Sequence, residues 1–184
     1  MNRFHLRYCG SKAWAELVGT SLLPWALEGV DLGDELLEVG PGLGVTTRLL
    51  APRVGTLTAL EHDQRLAAGL QREFGGGVVT GDGAAMPFPG GRFSSVACFT
   101  MLHHMPAPEL QDRLFAEAYR VLRPGGRLVG TDSRPSLRFR VIHLFDTMTL
   151  VDPATLPGRL RRAGFADVEV ATTETRLRFR ARKP

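Results

Sequence analysis

Residues 36–44, "LLEVGPGLG", join an apolar run of strand length to a turn with glycine at every second position. Glycine takes φ > 0 without steric cost and adds no side chain, so such a turn lets backbone approach a bound molecule closely. The segment that follows, "VTTRLLA", holds one or two helical turns before Pro52 stops it. A strand that passes through a glycine turn into a helix is the opening unit of an open α/β sheet, whose ligands bind at the carboxyl edge. The plain alternative is that the glycines make a tight turn and nothing more.

Two phosphate-binding readings fail on spacing. A triphosphate loop ends in Gly-Lys-Ser/Thr, whereas Gly44 is followed by Val45 and Thr46. The dinucleotide fingerprint is G-x-G-x-x-G. Gly40, Gly42 and Gly44 are spaced G-x-G-x-G, and Val45 stands where the third glycine belongs.

The rest of the chain repeats the strand-then-helix pattern. "TLTALEHD" is a second strand, followed by a helix with Leu66, Leu70 and Phe74 on one face. "GGGVVTGD" and "RFSSVACF" supply a third and fourth strand. "PAPELQDRLFAEAYRVL" is a helix with Pro108 in its first turn and Leu110, Leu114 and Val121 as its stripe, and "RLVGTDS" is a fifth strand. "LPGRLRRAGF" is a helix closed by Gly164, and "ADVEVAT" and "TRLRFRAR" form a hairpin around Thr173 and Glu174. Ahead of the first strand, "AWAELVGTSLLPWALEGV" reads as one or two helices interrupted at Pro24. The expectation is one α/β domain over 1–184. Its seven-stranded Rossmann-like sheet is mostly parallel with an antiparallel last strand, and helices cover both faces. Within it, 1–33 is a helical lid segment, 34–132 a ligand-binding core, and 133–184 an acceptor-side segment with the last helix and hairpin.

Composition narrows the setting. With 43% hydrophobic and 23% charged residues the 184-residue chain has the make-up of a globular protein. There is no apolar run of membrane-spanning length and no secretion signal in "MNRFHLRYCGSKAW". Cys9 and Cys98, the only cysteines, lie outside any metal-like spacing and fit a reducing cytoplasm. No metal site is expected.

Three acids mark the carboxyl ends of the first three strands: Glu38, Glu61 and Asp82. Together they would repel a pyrophosphate. They suit a ligand with ribose hydroxyls, an exocyclic amine and positive charge, as S-adenosylmethionine has. Each of Glu61 and Asp82 taken singly is also readable as a solvated strand end. Asp63, ahead of "QRLAAGL", is an N-cap with no ligand role.

"EVGPGLG", "ALEHD", "GDGAAMPFP", "FSSVACFTMLHHM" and "YRVLRPGGRLVGTD" come in an order and spacing that resembles the class I S-adenosylmethionine-dependent methyltransferases. The likeness is strongest to small-molecule enzymes related to ubiquinone biosynthesis. It covers residues 34 to 132 by motif, and the "RLRRAGFADVEV" tail extends it by pattern. The resemblance implies that Gly40, Gly42 and Gly44 approach the methionine and sugar, with Glu38 near the amino group. It implies that Glu61 accepts from the ribose hydroxyls, that His62 lies beside the adenine, and that Asp82 and Gly83 meet its amine and ring. Phe99 then lines the pocket. Ser94 and His62 depart from the family pattern, the first touching packing more than chemistry. S-adenosylhomocysteine would be the product.

The expected reaction is methyl transfer to a small, partly apolar acceptor by in-line displacement, in which positioning supplies much of the catalysis. A base is needed when the acceptor sheds a proton. The candidates are His103, beside His104 after the fourth strand, where the family resemblance equally implies a ring hydrogen-bonded for structure, and the pair His143 and Asp146, whose i,i+3 spacing puts them on one helix face. Phe139, Ile142, Phe145 and Met148 around that pair suggest a pocket wall, and a core helix with one satisfied histidine is the alternative. "NRFHLRYCGSKAW" is expected to lie across the pocket as a lid, with Cys9 either a small hydrophobe or a functional thiol. The rival function is a nucleic-acid methyltransferase, resting on Arg176, Arg178, Arg180 and Arg182 along one strand face. Pairing of those arginines with Asp167 and Glu169 is favoured over a phosphate groove, so nucleic acid is not the expected partner. A non-catalytic partner protein is a third reading, and the chain is expected to be a monomer or homodimer.

Overall fold

The computed structural model describes residues 3–136, 141 and 148–184. Seven strands form one sheet in the order β3-β2-β1-β4-β5-β7-β6. They are β1 (Glu35–Val39), β2 (Thr56–Glu61), β3 (Val78–Thr80), β4 (Phe93–Phe99), β5 (Leu122–Ser133), β6 (Ala166–Thr172) and β7 (Arg176–Arg182). The first five run parallel, and β7 is antiparallel to both of its neighbours. The sheet grows outward in one direction from β1 to β3 and in the other from β4, so the order reverses between β1 and β4. That switch point opens a crevice at the carboxyl ends of the strands.

Alternation along β1 divides the core. Leu37 and Val39 pack on one face with Phe115 and Leu114 of α6 (Pro108–Val121) and Leu160 of α7 (Leu156–Arg162). Leu36 faces the other way, among Leu22, Leu23 and Ala26 of the N-terminal helices and Leu50 of α4 (Val45–Leu50). A smaller cluster beneath α5 (Gln64–Phe74) unites Ala67 and Leu70 with Ala59 and Val78. Every residue of β4 is buried, as the central strand of a sheet covered on both faces requires.

The N-terminal region departs most from expectation. Residues Arg3–Cys9 form a helix, α1, followed by α2 (Lys12–Leu17), a π-helical turn at Val18–Leu22 and α3 (Leu23–Leu27). Pro24 sits in the first turn of α3, where its missing N–H costs nothing. The interruption falls before it: the Leu23 N–H reaches back five residues to the Val18 carbonyl. The "RPGG" segment, which follows the end of α6 at Val121, forms the irregular stretch of β5 between Leu122, opposite Phe93, and Arg127, opposite Ser95.

Ser94 lies away from the crevice. Its hydroxyl accepts from the Glu35 N–H at 2.9 Å and lies 2.8 Å from the Leu32 carbonyl, tying β4 to the approach of β1. Arg178 and Arg180 turn to α3: Arg178 Nη1 donates to the Trp25 carbonyl at 2.5 Å, and Arg180 Nη2 to that of Ala26 at 2.9 Å. Arg182 pairs with Asp167 at 2.6 Å, the one hairpin ion pair that alternation foresaw. Glu169 lies opposite Arg180 in register.

Candidate functional site

A cavity of ≈ 640 Å³ opens at the carboxyl ends of β1, β2 and β4. Gly40, Gly42, Glu61, His62, Asp82, Gly83 and Phe99 all line it. Residues from four separate motifs therefore converge on one space.

The glycine loop is shaped from both sides. Gly42 has φ +60, and a Cβ there would meet nothing within 4 Å. On a residue that lines the cavity, such a side chain would occupy ligand space. Gly44 has φ +74 and faces away from the cavity; a Cβ on it would meet Leu70 Cδ2 at 2.5 Å. α5 thus closes against the back of the loop, and Gly44 caps α4.

Glu61 holds the loop from within. Its Oε2 accepts from the Gly42 N–H at 2.9 Å and its Oε1 from the Asp63 N–H at 2.9 Å. Each oxygen keeps a further lone pair. Asp82 Oδ1 accepts from the Ala84 N–H at 2.8 Å, closing a turn that holds the carboxylate at the cavity wall. Asp63 Oδ1 accepts from the N–H groups of Arg65 and Leu66, the cap expected of it, although the residue also borders the cavity.

Glu38 stands behind the wall. Only 1% exposed, it accepts from the hydroxyl of Thr46, which does line the cavity. Its Oε2 is buried with no hydrogen-bond partner. Burial pushes its carboxyl up to about 7, and the charge of Glu61 adds to the rise. On the cavity wall itself the acceptors are the carboxylates of Glu61 and Asp82, which fit a ligand that brings positive charge or donors.

A second cavity of ≈ 170 Å³ adjoins the first, and His5, Cys9, Trp14 and Thr100 line both. His103 lies on the second. Its Nδ1 is 2.5 Å from Asp132 Oδ1, and its own N–H donates to Asp132 Oδ2 at 3.1 Å. His103 and Asp132 are 2% and 1% exposed, so the couple is held rigidly. This histidine–carboxylate pair joins the turn after β4 to the end of β5 and is not the pair expected along a helix. His143 and Asp146 lie outside the described residues.

Asp132, Thr46 and Thr100 were missed by sequence reading. Asp132 had a visible signal, an acid at the carboxyl end of β5. Thr100 had none: a β-branched residue at φ +53 is a local strain that only the backbone reveals. Burial raises the Cys9 thiol to about 11, which suits the small-hydrophobe reading and not a reactive thiolate. Among the described residues no helix is long and apolar enough to cross a membrane, and no group of three or more side chains could hold a metal.

A family model described as "Methyltransferase domain" matches residues 37–130. The chain is similar to ribosomal RNA small subunit methyltransferase A of Gloeobacter violaceus, with 32% identity over 79% of this chain and 48% of that protein. It is also similar to ubiquinone biosynthesis O-methyltransferase of Pseudomonas putida, 30% identical over 56% of this chain and 47% of that one. The chain thus spans about half the length of these curated relatives. Among solved structures, a SAM dependent methyltransferase from Archaeoglobus fulgidus superposes with a TM-score of 0.80 at 18% identity, covering 98% of both chains.

Proposed function

This chain belongs to the class I S-adenosylmethionine-dependent methyltransferases, and from that premise we propose that it transfers a methyl group to a small, partly apolar molecule bound in the second cavity. One observation carries the reading. The bare backbone of Gly42 and the carboxylates of Glu61 and Asp82 face one ≈ 640 Å³ space, beside a smaller cavity that holds an oriented histidine.

Each residue has a part in this reading. Glu61 receives the ribose hydroxyls on the lone pairs its loop bonds leave over. Asp82 accepts from the adenine amine, Gly83 offers its N–H, and His62 and Phe99 flank the rings. Gly40 and Gly42 admit the methionine portion. Gly44 keeps the loop's shape, and Glu38 supports it through Thr46. When bound, S-adenosylmethionine supplies an electrophilic methyl on a sulfonium.

His103 is the base. The Asp132 carboxylate accepts from Nδ1–H, which makes Nε2 the ring atom that takes a proton. As the acceptor's nucleophilic atom took up that methyl in line with the departing sulfur, Nε2 of His103 would receive the acceptor's proton. Thr100 belongs to both cavities and marks the boundary that the methyl crosses.

The likeness to the Gloeobacter enzyme supports an RNA acceptor instead. Against it, Arg178, Arg180 and Arg182 are already committed to α3 and Asp167. The test is calorimetric titration with S-adenosylmethionine and S-adenosylhomocysteine, with ATP and NADH as controls. Both sulfur compounds should bind and neither control should. Asp82→Ala should weaken binding about tenfold or more, as loss of a charge-assisted hydrogen bond does. Equal affinity in that variant removes Asp82 from the site.

A further inference from the structure

We propose that the ≈ 170 Å³ cavity takes an acceptor built on a single ring and bearing a carboxylate, which Arg134 and Arg176 bind. The inference rests on the methyl-transfer reading above and specifies its substrate class. Volume sets the size, since an apolar cavity of ~150 Å³ accommodates one benzene.

The walls set the shape. Tyr8 and Trp14, with ring centroids 5.4 Å apart, and the aliphatic Leu17 and Leu22 make one side. Flat and apolar surfaces of this kind favour a ring.

The charge is set by what the cavity lacks. Arg134 and Arg176 both line it, and no acidic side chain does among the described residues. Arg134 Nη1 donates to the Thr173 carbonyl at 2.5 Å, and Arg176 Nη1 to Ser21 Oγ at 3.3 Å. These bonds position two guanidinium groups and neutralise neither. Arg48, Arg92, Arg120, Arg123, Arg159, Arg178 and Arg182, by contrast, each have a carboxylate within 3.6 Å. Half-buried arginines in a concave site with no acidic lining among the described residues are matched to an incoming carboxylate, which the planar fork binds well. Ser133, Ser136 and Thr175 add hydroxyls to the lining. A ligand carboxylate anchored by the arginines leaves the ring to present its reacting atom toward His103 and Thr100.

The experiment compares 4-hydroxybenzoate with 4-hydroxybenzamide on the whole protein saturated with S-adenosylhomocysteine, by calorimetry. The acid should bind at least tenfold more tightly than the amide. Arg134→Gln and Arg176→Gln should each reduce that preference, the double variant should abolish it, and lysine should restore part of it. Unchanged S-adenosylhomocysteine affinity certifies that the variants fold. If a glutamine variant does not fold, the acid–amide comparison on the unsubstituted protein decides alone. Equal affinity for acid and amide, a preference that survives in the double variant, or no binding of either at millimolar concentration would overturn the proposal. If S-adenosylhomocysteine fails to bind while the acid preference persists, the methyl-transfer reading falls and the carboxylate subsite stands.

Discussion

Glu38 shows how a buried acid makes stability depend on pH. Its carboxyl titrates near 7 in the fold against an ordinary value of 4.5. Between those values the folded chain holds a proton that the unfolded chain has released, so stability falls as pH rises through the window. Below 4.5 the contribution is fully present, and above about 7 it is gone. The difference is worth about 3 kcal/mol. Denaturant melts between pH 4 and 8 should show that decline, and Glu38→Gln should flatten it; an identical slope in the variant would place the titrating group elsewhere. This residue was visible in the sequence as an acid at a strand end. Its retreat behind Thr46 was not, because whether a side chain faces a cavity or its lining depends on a partner eight residues on.

At the scale of elements, the hairpin arginines act as a clasp. Arg178 and Arg180 reach the carbonyls that α3 leaves unbonded at its C-terminal end, where cations are favoured by the helix dipole. Arg178 also lies over the Trp25 ring at 5.1 Å. Replacing both by methionine keeps most of the apolar stem and removes the charge. The pair should cost about 2–4 kcal/mol of stability and speed amide exchange in Leu23–Leu27. Unaltered exchange there would mean the clasp holds nothing. The strands and most helices were legible because their signals are local: alternation, a 3.6-residue stripe, a proline or a glycine at an end. The clasp and the His103–Asp132 couple join residues 153 and 29 positions apart, and no periodicity encodes such distances. The π-turn was hidden for a related reason, since a proline read as the point of interruption in fact begins the next helix.

For the molecule as a whole, the sheet order fixes where the crevice opens, and the N-terminal helices supply His5, Cys9 and Trp14 to its walls. Its basic pI of about 9.7 would by itself suggest a polyanionic partner, yet much of the arginine charge is spent on internal ion pairs and carbonyls. The seven-stranded sheet was legible from the repeated strand-and-helix pattern. The second cavity was not, because it is assembled from the first 22 residues, the turn after β4, the end of β5 with the residues just past it, and the hairpin turn, four stretches remote in the chain. His5, Cys9, Trp14 and Thr100 border both cavities, so α1 and α2 roof two chambers at once. On the methyl-transfer reading proposed above, a shared wall predicts ordered binding: the methyl donor enters first, the acceptor follows above Thr100, and departure runs in reverse. Steady-state patterns should therefore show the thioether product competing with the methyl donor and not with the acceptor; the opposite pattern would mean each chamber has its own exit.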